Sequence, residues 1–202
     1  LEAEATLDEQ AMNPELDALL KRPFDEERFR AWAEGTTGWP FFDACMRSLR
    51  ATGWINFRMR AMLQSVASYT LSIPWRASGA HLARQFLDYE PGIHWSQIQM
   101  QSGVTGINSV RAYSILKQSQ DQDPEGEFIK RWVPELKDVP LEHIHEPWLM
   151  STDEQREASC IIGTDYPEPI VDEKITRKEG ISQAYKAKAD AEAKLRSKLV
   201  YL

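Results

Sequence analysis

Between Pro40 and Gly53, the apolar residues Phe42, Cys45, Met46 and Leu49 fall at i, i+3, i+4 and i+7, a spacing that lines one face of an α-helix. Pro40 suits a first helical turn, where its missing N–H would be unpaired anyway, and Gly53 closes the last one. No segment of useful length alternates apolar and polar residues with period two. The chain is therefore expected to be all-α, a multi-helix orthogonal bundle with long irregular loops.

Further helices follow from the same signals. ELDALLKR after Asn13-Pro14 predicts a short one. Asp25 caps the next, with Glu26 and Glu27 in its first turn, Phe29 and Trp32 facing inward and Gly35 ending it. Another runs from about Trp54 to Leu71 and stops before Pro74. A helix near Gly79–Leu87 delivers Asp88 at its end, and the Pro- and Gly-bearing stretch Asp88 to Trp95 reads as a turn feeding a helix from about Ser96. Val104 to Asp123 reads as irregular, Glu127–Leu136 as a short helix, and 137–170 as a proline-studded strap with a short helix and loop in STDEQREASCIIGT. Asp172 to Leu199 reads as a charged helix with a solvated face.

A chain of 202 residues, 42% hydrophobic, can bury one core. Residues 1–26 read as an acidic linker and short helix, 27–170 as the main domain and 171–202 as the charged C-terminal helix. Within the first part, residues 1–13 are expected to be frayed or a linker. Cys45 and Cys160 have neither a metal-ligand spacing nor a disulfide framework, which suits a reducing, cytoplasmic setting. No apolar run reaches the ~20 residues of a membrane span, and the acidic start is unlike a signal peptide. Because the chain begins at Leu1, a processed end or a piece of a longer protein is expected. The net charge of −7 argues against nucleic acid binding by the whole surface, since that affinity needs Lys and Arg. A local basic groove is compatible with it. Arg50, Arg76 and Arg84 read as ordinary helix-surface charges.

Chemistry concentrates between Thr36 and Gly103. Arg47, Arg58, Arg60, Asp88, Glu90, His94 and the tryptophans Trp39, Trp54, Trp75 and Trp95 gather there, a mixture suited to a planar, polar-edged ligand. The sequence lacks a phosphate loop, a GxGxxG fingerprint, HExxH, paired metal cysteines and a GxSxG elbow. His81, His94, His143 and His145 do not form a metal set by spacing, so no metal site is expected.

The segments TGWPFFDACMRSLRATGWINFRMR, IPWR at 73–76, LDYE at 87–90, DPEGEFIKRWVPELKDVP at 123–140, IHEPW at 144–148 and YPEPIVD at 166–172 closely resemble the helical FAD-binding domain of the cryptochrome and DNA photolyase family. The resemblance covers about residues 27–185, and assigns 27–170 to the carboxy-terminal part of that domain. It implies FAD held between helices, blue-light-driven electron transfer, and either repair of damaged DNA by a deoxyribodipyrimidine photolyase-type lyase or light sensing. Arg60 and Asp88 match the ion pair beside the isoalloxazine, with a simple helix-joining pair as the alternative. Glu90 matches an acid near adenine and ribose, and Tyr89 lies between these two acids in the same cofactor-binding stretch. Trp54 matches a pocket wall, and Arg58 an arginine near both flavin and DNA.

Departures from the family pattern change the expectation. His94 stands where the family usually has Asn near flavin N5. Ile98 replaces the tryptophan nearest the flavin, Trp75 matches the middle member of the electron relay, and the outermost is lost near Arg22. Trp95, Trp39 or Tyr113 are candidate substitutes. Phe57, Ala61 and Met100 alter the lesion pocket, while Gln118 matches a DNA-contacting glutamine, so Phe57, Arg58 and Gln118 form the expected DNA side. The phosphate-clasping loop of the family does not precede residue 27. The expected partners are accordingly damaged DNA and either the amino-terminal photolyase part or another copy of the chain. The competing expectation is a flavin-free helical scaffold.

Overall fold

A computed structural model of the chain describes residues 6–200, with side chains to residue 196. The first five residues of the expected linker and the last two of the C-terminal segment lie outside the described residues. Among the described residues ten α-helices follow in order: α1 Pro14–Leu19, α2 Glu26–Glu34, α3 Pro40–Thr52, α4 Phe57–Ser65, α5 Trp75–Gln85, α6 Pro91–Ser102, α7 Ile115–Gln122, α8 Glu127–Trp132, α9 Thr152–Glu157 and α10 Glu173–Val200. Among the described residues there is no strand, only an isolated bridge between Ile162 and Tyr166. The all-α expectation holds.

Side-chain caps decide where most helices begin. Asn13, Asp25, Asn56 and Ser114 each accept a backbone N–H from the first turn of the helix they precede, and Ser151 with Glu154 forms a full capping box on α9. α3 is the centre of the core. Phe42, Ala44, Cys45, Met46 and Leu49 are completely buried, and the helix packs against α2, α4, α7 and α8.

Asp43 fastens the turn before α3. Its Oδ1 accepts from the N and Oγ1 of Thr37 at 2.9 and 2.6 Å, and its Oδ2 from Gly38 N at 3.1 Å and the Tyr166 hydroxyl at 2.5 Å. This knot ties the strap at Tyr166 back to the helix start. Gly38 sits at φ +82°, and a Cβ there would come within 2.3 Å of the Glu168 carbonyl oxygen, so only glycine allows the strap to lie so close.

Several boundaries differ from expectation. α4 starts at Phe57 rather than Trp54, because the Asn56 side chain caps Met59 N and leaves Trp54 in the preceding loop. It then widens into a π-turn over Val66–Thr70. α5 begins at Trp75, directly after Pro74, and ends at Gln85, three residues before Asp88. α6 starts at Pro91 instead of Ser96: proline is at home in the first turn, and the Glu90 carboxylate caps Gly92 N and Ile93 N. α7 occupies part of the segment expected to be irregular, because Ser114 caps it and Ile115, Gln118 and Ser119 turn inward. The expected 127–136 helix stops at Trp132, since Pro134 lacks an N–H, and a 3-10 turn over Pro134–Leu136 follows.

The chain ends also pack more closely than composition suggests. Leu7, Ala11, Leu16 and Leu20 join the core, so the described part of the acidic leader is not frayed. α10 lies on the π-turn through Gly180, with Ala184 and Ala187 buried. Only part of its surface is therefore the expected solvated face.

Candidate functional site

Helical spacing builds a cleft between α4, α6 and the end of α5. α4 contributes Phe57, Arg60, Ala61 and Gln64, one face at i, i+3, i+4 and i+7. α6 contributes Ile93, His94, Gln97, Ile98 and Gln101 by the same rule. Leu82 and Phe86 close one wall, and Asp88, Tyr89 and Glu90 form the rim. The cleft measures about 180 Å³. Whole small-molecule sites span roughly 300–1,000 Å³, so this cleft accommodates one end of a large ligand.

Arg60 is the cleft's cation and is held on three sides. Its Nη2 pairs with Asp88 Oδ2 at 2.8 Å, its Nε donates to the Ile55 carbonyl at 2.8 Å, and its guanidinium lies 4.3 Å from the Phe86 ring centroid. Arg60 in turn holds the Asp88 carboxyl below its ordinary pKa. Glu90 spends both carboxylate oxygens on α6 backbone N–H groups, at 3.2 and 2.7 Å. The Tyr89 hydroxyl accepts from Trp95 Nε1 at 3.1 Å.

His94 is a buried, oriented imidazole. Its Nε2 lies 2.9 Å from the Gly79 carbonyl, which can only accept, so the proton is on Nε2 and Nδ1 keeps its lone pair. Burial lowers its pKa, opposed by the Gly79 bond and assisted by Arg60, and the ring is neutral at pH 7. The rings of Trp95, Tyr89 and Phe86 meet it edge-on, with centroids 5.1, 5.2 and 5.8 Å away.

Two buried polar atoms of the cleft residues have no protein partner: Gln64 Oε1 and Gln97 Oε1. A buried acceptor left unpaired costs about 1–3 kcal/mol, so both are suited to a ligand that donates. Mostly apolar walls, one clamped cation and unpaired acceptors fit a planar ring system with polar edges.

The fold brings together Phe57, Arg60, Asp88, Tyr89, Glu90 and His94. Trp54 and Arg58 are exposed and outside the cleft lining, Trp54 because α4 starts after it and Arg58 because it lies on a different face of α4 from Phe57, Arg60, Ala61 and Gln64. Gln118 is buried on α7, also outside it. Trp75 is buried behind the cleft, its Nε1 donating to Asp17 Oδ1 at 2.8 Å and its ring 6.1 Å from that of Trp95. Sequence reasoning missed Gln64 and Gln97, although each lies one helical turn beyond a residue it singled out, Arg60 and His94.

Elsewhere the strap brings His143 beside Glu142 and Glu154, a juxtaposition that spacing did not suggest. Glu154 is already engaged there by Ser151 N and His143. A second cleft of about 260 Å³ lies between the start of α3, α7, the strap and the start of α10, where Ser119 Oγ meets His145 Nδ1 at 2.6 Å.

Residues 1–187 match the family described as the FAD binding domain of DNA photolyase. The chain belongs to that family. The family's cofactor is FAD, and a flavin-free scaffold is not favoured. Among relatives, the chain is 38% identical over 149 residues to cryptochrome DASH of Gloeobacter violaceus, covering 73% of this chain and 30% of that protein. It is 36% identical over 163 residues to the deoxyribodipyrimidine photo-lyase of Escherichia coli, covering 78% and 32%. Among solved structures, the class III photolyase of Agrobacterium tumefaciens superposes with a TM-score of 0.82 at 30% identity, over 92% of this chain and 38% of that one. The chain thus spans about a third of the length of the relatives it matches. No helix among the described residues is long and apolar enough to cross a membrane.

Proposed function

We propose that this photolyase-family chain binds FAD at the α4–α6 cleft and serves blue-light-driven electron transfer, in DNA photorepair or light sensing. The Arg60–Asp88 pair at 2.8 Å on the cleft rim carries this reading. When bound, FAD supplies light absorption and one-electron chemistry. Arg60 gives that chemistry a fixed positive charge, and Asp88 with the Ile55 carbonyl keeps the guanidinium in place. His94, neutral and with Nδ1 free of its own proton, offers an acceptor to the ligand edge.

Trp95 and Trp75 form an aromatic path leading from His94 into the protein, in place of the tryptophan that Ile98 replaces. The Asp17 carboxylate that accepts the Trp75 indole N–H favours a positive charge on that ring, whereas Arg76, 4.2 Å from the ring centroid and itself paired with Asp17, opposes it. Phe57 and Arg58 stand exposed on the DNA side of the proposal. Gln118, being buried, contributes through the placement of α7. The free, buried thiols Cys45 and Cys160 support a reducing cytoplasm. The small cleft and the exposed Trp54, Leu87 and Ile93 around it support completion of the site by the amino-terminal photolyase part or a second copy.

An FAD titration of the purified chain followed by blue illumination tests the proposal. The expected result is a flavin absorption band that bleaches in light, with Trp75→Phe slowing the bleaching and leaving affinity unchanged. A chain that takes up no FAD would overturn the reading.

A further inference from the structure

Gln64 sits at the floor of the cleft, 1% exposed, and a cage of three serines fixes which way its amide points. Its Nε2 lies 2.9 Å from Ser78 Oγ, 2.9 Å from Ser102 Oγ and 3.1 Å from Ser68 Oγ. The hydroxyl protons of these serines are already committed. Ser78 donates to the Trp75 carbonyl at 3.2 Å, Ser102 to the Ile98 carbonyl at 2.6 Å, and Ser68 to Ser102 Oγ at 3.0 Å. In this arrangement the cage accepts from the amide NH2. A reversed amide would make Ser68 or Ser78 give up its present acceptor and would still set its oxygen against Ser102 Oγ, whose proton is held by the Ile98 carbonyl at 2.6 Å.

The amide nitrogen consequently faces the serines, none of which lines the cleft, and Oε1 is the atom left for the cleft. That oxygen is buried and has no protein partner. Across the cleft on α6, one turn after His94, Gln97 Oε1 is in the same condition. Two facing helices thus each place in the cleft wall a glutamine whose carbonyl-type acceptor is buried and unpaired. A ligand edge that only accepts would leave both unpaired, whereas an edge bearing N–H or O–H groups satisfies them.

We propose that Gln64 is a cofactor-positioning residue, its carboxamide oxygen accepting a hydrogen bond from an N–H or O–H of the bound flavin, with Gln97 as a second acceptor. This rests on the reading of the cleft as the flavin site. The serine cage pre-orients the acceptor, so the ligand is read without reorganising the side chain.

The test is a fluorescence titration with FAD of the wild-type chain and the Gln64→Met, Gln97→Met and Ser78→Ala variants, alongside their melting temperatures without FAD. Gln64→Met is expected to raise the Kd about tenfold, the effect of one hydrogen bond in a closed site. Ser78→Ala leaves the cleft lining intact but loosens the cage, and is expected to raise the Kd by a smaller factor; it carries the test if Gln64→Met does not fold. Lumiflavin, which has the ring but no ribityl chain, separates the two donors. A loss for lumiflavin equal to that for FAD assigns a ring N–H, and a loss confined to FAD assigns a hydroxyl; either supports the proposal. Variants that melt lower yet bind FAD with unchanged Kd would make Gln64 purely structural and overturn the inference, leaving the flavin site itself standing. A wild-type chain that binds no FAD would remove both.

Discussion

Asp43 and Arg60 show how differently two charged residues of one motif are used. Asp43 is fully buried and accepts four hydrogen bonds, yet burial pushes its carboxyl up to about 6. Unfolded aspartate titrates near 4, so between about pH 4 and 6 the folded state holds the extra proton. Its contribution to stability therefore falls as pH rises through that window and levels off above it. Asp43→Asn is expected to abolish this slope in thermal melts. At neutral pH it costs about 2–3 kcal/mol, because the amide NH2 faces N–H and O–H donors. Arg60 is the opposite case. Asp88 is half exposed, so their pair contributes under about 1 kcal/mol of stability, which is lost as pH falls through the lowered pKa of Asp88. Arg60→Ala is accordingly expected to melt close to wild type while weakening FAD binding at least about tenfold, since charge-assisted contacts are worth about 1.5–3 kcal/mol; separate melting and titration measurements check this. The pairing of Arg60 with Asp88 was legible as a motif resemblance. The fourfold coordination of Asp43 was not, because Tyr166 arrives from 123 residues away.

Helices were legible where local signals sufficed. α2 and α3 follow from caps, glycines and apolar spacing, whereas Pro91-Gly92, which reads as a turn in the sequence, is the capped first turn of α6. Glu90→Ala is expected to cost about 1 kcal/mol through loss of that cap and to shift the first turn of α6, on which His94 rides; a denaturant melt measures it. α10 offers a sharper contest between forces. Intrinsic propensity favours Gly180→Ala by about 1 kcal/mol. A Cβ at that position, however, would lie 2.0 Å from the Tyr69 carbonyl oxygen in the π-turn, and overpacking typically costs 1–3 kcal/mol or more. The clash with a backbone atom wins, so Gly180→Ala is expected to lower the melting temperature.

The molecule as a whole is a helical member of the photolyase FAD-binding family about a third as long as its relatives, and its α4–α6 cleft of about 180 Å³ is smaller than a whole small-molecule site. Supplying the amino-terminal part of a family member in trans is expected to tighten FAD binding and cover the apolar rim at Trp54, Leu87 and Ile93; co-purification and an FAD titration check it. A chain that binds FAD equally well alone would place the whole site within these residues. By itself the sequence determined the all-α class, most helix positions and the clustering of Arg60, Asp88, Glu90 and His94, because spacing, caps and motif order are local properties. The tertiary structure alone decided that Trp54, Arg58 and Gln118 stand outside the cleft, that Trp95 bridges His94 and Trp75, and that a serine cage holds the Gln64 amide nitrogen and leaves its oxygen without a protein partner. Those outcomes depend on which helix faces meet, and burial of atoms far apart in the chain settles that.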